Sequence, residues 1–242
     1  MIITILGTAD DLARAVADRV RDTLARKPAG VLGLPTGRTP IAAYEELRRR
    51  HAAGEIDFSK ASTFNLDEFA GVDANHPGSF RQFMERHLFS AVNLQPARIH
   101  FLNGAALDLD AECDRYETAI DAGGGIDLQL LGIGANGHIG FNEPATELTA
   151  RTHRVTLLPS TRRDNAELFG GDAARVPAEA LTMGVGTILK AAAIILVATG
   201  AGKAQCIERV ARGPVTTNLP ASLLQLHRNV EILIDRAAAS RL

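Results

Sequence analysis

The 242-residue sequence predicts an α/β fold: one doubly wound, Rossmann-like domain over residues 1–242, with a mainly parallel sheet and helices on both faces. Three observations carry this. Strand-like and helix-like patterns alternate from one end to the other. The strand-like runs are short and almost continuously apolar, as in a sheet covered on both sides. No internal repeat, low-complexity stretch or linker divides the chain.

The elements follow in order. Ile2–Leu6 reads as a first strand, lacking the basic flank and cleavage site of a signal peptide. Over residues 10–27, Leu12, Val16, Val20 and Leu24 recur every fourth position, an amphipathic helix with Asp10 as expected N-cap. Val31–Leu34 is a buried strand, followed by a Pro-Thr-Gly-Arg-Thr-Pro turn and a helix over residues 41–50. Strand 62–66 runs into Asp67 and Glu68. Helix 79–89, strand 98–102 and helix 109–120 come next, then strand 126–131, apolar except for Asp127 and Gln129. Strand 154–158, helix 178–190, strand 193–198, helix 203–211 and strand 229–235 complete the alternation. Residues 151–177, rich in charge and small side chains, are expected to form a lid or a plain surface excursion.

Composition narrows the function. A 46% hydrophobic and 22% charged chain has an ordinary globular core, and a net charge of −2 leaves no broad basic face for nucleic acid. No apolar run approaches the ~20 residues that cross a bilayer. Two cysteines, outside any C-x-x-C pair, fit a reducing cytosol, so a cytoplasmic location is expected. The seven histidines form no H-x-H or H-x-x-x-H pair, and no metal is expected.

The richest stretch is residues 130–148, LLGIGANGHIGFNEPATEL. Gly132, Gly134 and Gly137 allow a tight turn or close approach of backbone to ligand. Asn136, His138, Asn142 and Glu143 follow at once, so a general base, a carboxylate and two amides leave one core strand together. In open α/β sheets ligands bind at that edge. The G-x-G-x-x-G match over residues 132–137 is not a dinucleotide fingerprint, because Pro144 interrupts the helix that motif requires.

Three further junctions carry chemistry. Residues 34–40 put Gly37, Arg38 and two threonines between a strand and a helix start, where free N–H groups and the helix dipole favour phosphate. Residues 199–203 repeat the arrangement with Lys203; Ala204 stands where a Walker A loop needs Ser or Thr. The third junction holds Asp67 beside Glu68, either a solvated turn or a base working on carbon next to a carbonyl or imine. Acid–base chemistry on a sugar-phosphate-like molecule, with no cofactor, is what remains.

Four blocks, Phe64-Asn-Leu-Asp-Glu-Phe69, His76-Pro-Gly-Ser-Phe80, residues 134–144 and Ala180-Leu-Thr-Met-Gly-Val-Gly-Thr187, resemble the glucosamine-6-phosphate deaminase family. The resemblance spans residues 33–227. It implies opening of the pyranose ring, aldose–ketose isomerisation and release of ammonia, giving fructose 6-phosphate. By position, it implies Asp67 as the base acting between C2 and C1. It implies His138 as the ring-opening acid–base, with Asn136 and Glu143 as partners. Gly37, Arg38, Thr39, Arg162 and Lys203 fall where the family holds phosphate, Arg162 by closing from the lid.

The chain departs from the family at Arg38, where many relatives carry a small residue. Asn136 replaces the Asp of some relatives, which throws more of the charge stabilisation onto Glu143. Val155 stands at a lysine position of the basic cluster that serves allosteric activation elsewhere, and no tail follows Leu242, so weak or absent activation is expected. The partner is a small amino-sugar phosphate, the chain a monomer or homo-oligomer. A 6-phosphogluconolactonase, a galactosamine-6-phosphate deaminase and a sugar-phosphate-sensing module are the competing expectations.

Overall fold

Each element starts where local chemistry stops the one before. The computed structural model describes residues 1–242. β1 (Ile2–Leu6) ends at a turn in which Thr8, not Asp10, caps α1 (Ala9–Arg26). The Thr8 hydroxyl accepts from the Asp11 N–H and donates to the Asp11 carboxylate, leaving Asp10 and Asp11 in the first turn to oppose the helix dipole. β2 (Val31–Leu34), α2 (Ile41–Ala52) and β3 (Ser62–Asn65) match the apolar pattern closely. α3 (Phe80–His87) begins at Ser79, whose hydroxyl accepts from the Gln82 N–H. β5 (Ile99–His100), α4 (Leu109–Ala122), β6 (Leu128–Leu131), β9 (Ala193–Ala198), α7 (Ala204–Arg212) and β10 (Val230–Asp235) take up the remaining expected positions.

Seven strands form one fully parallel sheet in the order β1-β10-β9-β6-β2-β3-β5. One face packs Val16 and Val20 of α1, Tyr44 and Leu47 of α2, and Met84 of α3. The other packs Tyr116 of α4 with Ile207 and Val210 of α7. Helices therefore lie on both faces, as the alternation implies. From β2 the chain winds outward through β3 to β5; it then returns to β6 on the other side of β2 and winds away through β9 to β10. The β2–β6 boundary is thus the topological switch point, where a crevice opens at the carboxyl edge. Register there depends on Gly33, which lies opposite Gln129 of β6. A Cβ at Gly33 would stand 2.1 Å from the Gln129 amide oxygen.

Two expectations need correcting. Residues 178–190 are not a helix: β8 (Glu179–Thr182) is followed by the short α6 (Val185–Leu189). Gly184 separates them because its backbone lies against residues 150–151; a Cβ there would sit 2.2 Å from the Arg151 carbonyl oxygen. The strand after β2 also divides. Leu66 interrupts it, and β4 (Asp67–Phe69) pairs antiparallel with β8, which pairs with β7 (His153–Thr156) in a second, three-stranded sheet. Residues 151–177 are correspondingly ordered, comprising β7, α5 (Pro159–Asp164) and a 3-10 turn over Ala166–Phe169. Phe169, Leu157 and Val176 from this segment pack with Phe69, Phe80 and Phe141 in a third apolar cluster.

Candidate active site

The loops after β2, β6 and β9 leave neighbouring strands of one sheet edge, with the loop after β6 in the middle. With the β3–β4 junction and α5 they enclose a cavity of about 490 Å³. Gly37, Arg38, Thr39, Asp67, His138 and Lys203 all line it. Six separate stretches of sequence are brought to one pocket.

Its cationic end is built from the two loops that flank β6. Gly37 takes φ +107°, a left-handed conformation, and α2 follows with its first N–H groups uncapped by any side chain. Across from it, Gly200 at φ +86° starts the turn carrying Lys203. The Gly200 N–H is anchored on both carboxylate oxygens of Asp235, at 3.1 and 2.9 Å, from the end of β10. Burial holds the Lys203 ammonium below its ordinary pKa; Arg38 pushes the same way, while Cys206 and Asp164 oppose it. Arg38 and Lys203 therefore sense one another across the pocket.

Asp67 lies where the chain passes from one sheet to the other. It is buried, and its Oδ1 has no hydrogen-bond partner. Burial, then the neighbouring Glu68 charge, pushes its carboxyl up to about 8. Glu68 points to the opposite side of β4, where Oε1 accepts from the Phe69 and Phe80 N–H groups and Oε2 from that of Arg81. It closes the amino end of α3, and burial outweighs those three bonds to push it up to about 7. The adjacent acids thus divide their tasks: Glu68 ties strand to helix, and Asp67 faces the pocket.

At the far end stands His138. Its ring lies over the Cα of Gly134, where a Cβ would come within 2.3 Å of the ring. Nδ1 is 3.3 Å from Glu143 Oε2, close for an ion pair but out of line for a good hydrogen bond. With Nδ1 facing Glu143, Nε2 is the nitrogen left for other partners. Asn136 braces the pair: its Nδ2 donates to Glu143 Oε2 at 2.8 Å and its Oδ1 accepts from the His138 N–H at 3.2 Å. Thr161 donates to Glu143 Oε1. Burial raises the Glu143 pKa, but the His138, Thr161 and Asn136 contacts together hold it below the ordinary carboxylate value. Gly140, two residues past His138, brings this loop against Asp67, whose Oδ2 lies 3.6 Å from the ideal Gly140 Cβ position.

Asn136 and Glu143 stand behind His138 rather than on the cavity wall. Arg162 is placed differently from expectation. Its Nε donates to the Val176 carbonyl and a terminal nitrogen to that of Ala174, both at 3.0 Å, so its guanidinium is held by backbone of its own segment. It is absent from the cavity lining, whereas its helix mates Thr161, Asp164 and Asn165 are present. Those three escaped sequence reasoning, because nothing in a six-residue helix shows which side meets a distant loop. Phe80 and Phe141 on the wall fall inside the family blocks, but their types alone point to packing.

A Rossmann-like sheet with one switch-point pocket, cationic at one end and acid–base at the other, defines a class of proteins suited to small phosphorylated molecules. The chain belongs to the family of glucosamine-6-phosphate isomerases and 6-phosphogluconolactonases, whose family model matches residues 7–233. It is 48% identical to a glucosamine-6-phosphate deaminase of Pseudarthrobacter chlorophenolicus, over all of this chain and 93% of the relative. With glucosamine-6-phosphate deaminase 2 of Bacillus subtilis (strain 168) the identity is 47%, over all of this chain and 98% of that one. A solved structure described as a monomeric glucosamine-6-phosphate deaminase superposes with a TM-score of 0.96 at 43% identity, covering both chains fully. The 6-phosphogluconolactonase from Trypanosoma cruzi shares the fold at a TM-score of 0.80 and 18% identity, over all of this chain and 96% of that one.

Proposed function

We propose that this protein is a glucosamine-6-phosphate deaminase, converting glucosamine 6-phosphate and water to fructose 6-phosphate and ammonia. The observation that carries it is the carboxylate of Asp67 on the same cavity wall as the His138 ring and the Lys203 cradle. Gly37, Arg38, Thr39 and Lys203 hold the phosphate; fixing that end lets binding energy orient the reacting end. His138, backed by Asn136 and Glu143, moves the proton at the ring oxygen when the pyranose opens. Asp67 then takes the C2 proton and returns it at C1, through an enolamine. The resulting ketimine adds water and expels ammonia. Arg162, fixed on Ala174 and Val176, is left out of the phosphate set.

Ester hydrolysis by a lactonase needs no base acting on carbon, which is why Asp67 favours the deaminase. The full-length likeness to a monomeric deaminase supports reading this chain as a monomer. Residues 151–177 form the lid, through α5. We place the reaction in N-acetylglucosamine breakdown in the cytoplasm. Ammonia release should be measured with glucosamine 6-phosphate, galactosamine 6-phosphate and 6-phosphogluconolactone in parallel. Turnover of the first is expected. Hydrolysis of the lactone alone would overturn the assignment.

A further inference from the structure

We propose that Thr161 is a positioning residue that locks the Glu143 carboxylate in the orientation that serves His138, so that α5 couples the lid to the acid–base end. The proposal rests on the deaminase reaction above and adds to it a residue that never touches the reacting carbons. Glu143 has three contacts to share between two oxygens. Oε2 takes the Asn136 amide and faces the His138 ring. Oε1 has a single donor, the Thr161 hydroxyl. Both residues are buried, 8% and 3% exposed, so water offers Oε1 no ready substitute. A carboxylate held by donors on both oxygens cannot rotate about its last torsion without breaking one of them. With Oε1 fixed, Oε2 stays on Nδ1.

The donor is well anchored. The Thr161 carbonyl accepts from the side chain of Asn165 at 2.9 Å and from its N–H at 3.2 Å, closing the helix on itself. The same short helix carries Asp164, which faces Lys203 at the cationic end and lines the cavity with Thr161. A phosphate arriving at Lys203 meets the helix that holds Glu143. The titratable and charged groups around this assembly are His138 beside Glu143, Asp67 across the pocket, and Lys203, Arg38 and Asp164 at the far end.

The test compares Thr161→Val, which keeps shape and loses the O–H, with Thr161→Ser, which keeps the O–H. Thr161→Val is expected to lower kcat on the order of tenfold, the loss of one hydrogen bond to a charged group. KM for glucosamine 6-phosphate should change less than threefold, since the phosphate contacts are untouched. The Glu143 carboxyl carbon, followed by 13C NMR, should titrate below the ordinary glutamate value in wild type and higher in the valine variant than in wild type. Thr161→Ser should restore most of both losses. Unchanged kcat and unchanged Glu143 titration in a folded valine variant would overturn the coupling. Should that variant not fold, Thr161→Ala is read by the same two measurements: unchanged kcat and unchanged Glu143 titration overturn the coupling, and loss of both relative to Thr161→Ser sustains it. Absence of ammonia release by wild type would instead sink the deaminase assignment and leave the NMR result standing.

Discussion

Replacing Asp67 by Asn should inactivate this protein and make it more stable. In the unfolded chain an aspartate titrates near 3.9, whereas burial and Glu68 push Asp67 up to about 8 in the fold. Between those values the folded state binds a proton that the unfolded state lacks, so stability falls as pH rises, by ~1.4 kcal/mol per unit. Summed over four units, the wild type forgoes about 5 kcal/mol at pH 8 to keep this carboxylate in its pocket. An amide never ionises, but its N–H donors meet a wall arranged for a carboxyl, which costs about 1–3 kcal/mol. The net gain is about 3 kcal/mol at pH 8, a rise in Tm of roughly 6–12 °C for a chain of this size. Thermal melts of both proteins at pH 4 to 8, with ammonia release in parallel, provide the assay. Turnover should drop by at least about a hundredfold, as for loss of a general base. An Asn variant that melts below wild type at pH 8, or a gap that does not close toward pH 4, would refute the reasoning.

Three further outcomes follow from the same geometry. The wild-type kcat/KM should fall about tenfold per unit as pH drops below about 8, because Asp67 must be ionised to act as base; a profile flat down to pH 6 would contradict this. Lys203→Ala and Arg38→Ala should each raise KM by ~10- to 100-fold through lost charge-assisted contacts, while Arg162→Ala leaves KM within twofold. Steady-state kinetics on the three variants separate them. Gly134→Ala should leave the fold intact but displace the His138 ring, since the new Cβ would lie 2.3 Å from it. A misplaced ring lowers kcat by roughly a hundredfold, and a kcat within threefold of wild type would count against it.

The sequence by itself determined the parallel sheet, the helices on both faces and the strand ends that carry Gly37, Asp67, His138 and Lys203. These are local properties: apolar runs of strand length, amphipathic repeats and glycine turns are written in neighbouring residues. The family blocks extended that to the acid–base roles proposed for Asp67 and His138. Tertiary structure alone decided the rest. Residues 178–190 look helical in isolation, yet residues 179–182 become a strand because β4 and β7 offer backbone partners on either side. Arg162 reads as a surface cation in sequence, and only the fold lays its guanidinium on the Ala174 and Val176 carbonyls. Thr161 looks like nothing until α5 lays it on Glu143. The physical reason is common to all three: a hydrogen-bonding group is directed by whichever partner the fold brings within about 3 Å, and that partner can lie anywhere in the chain.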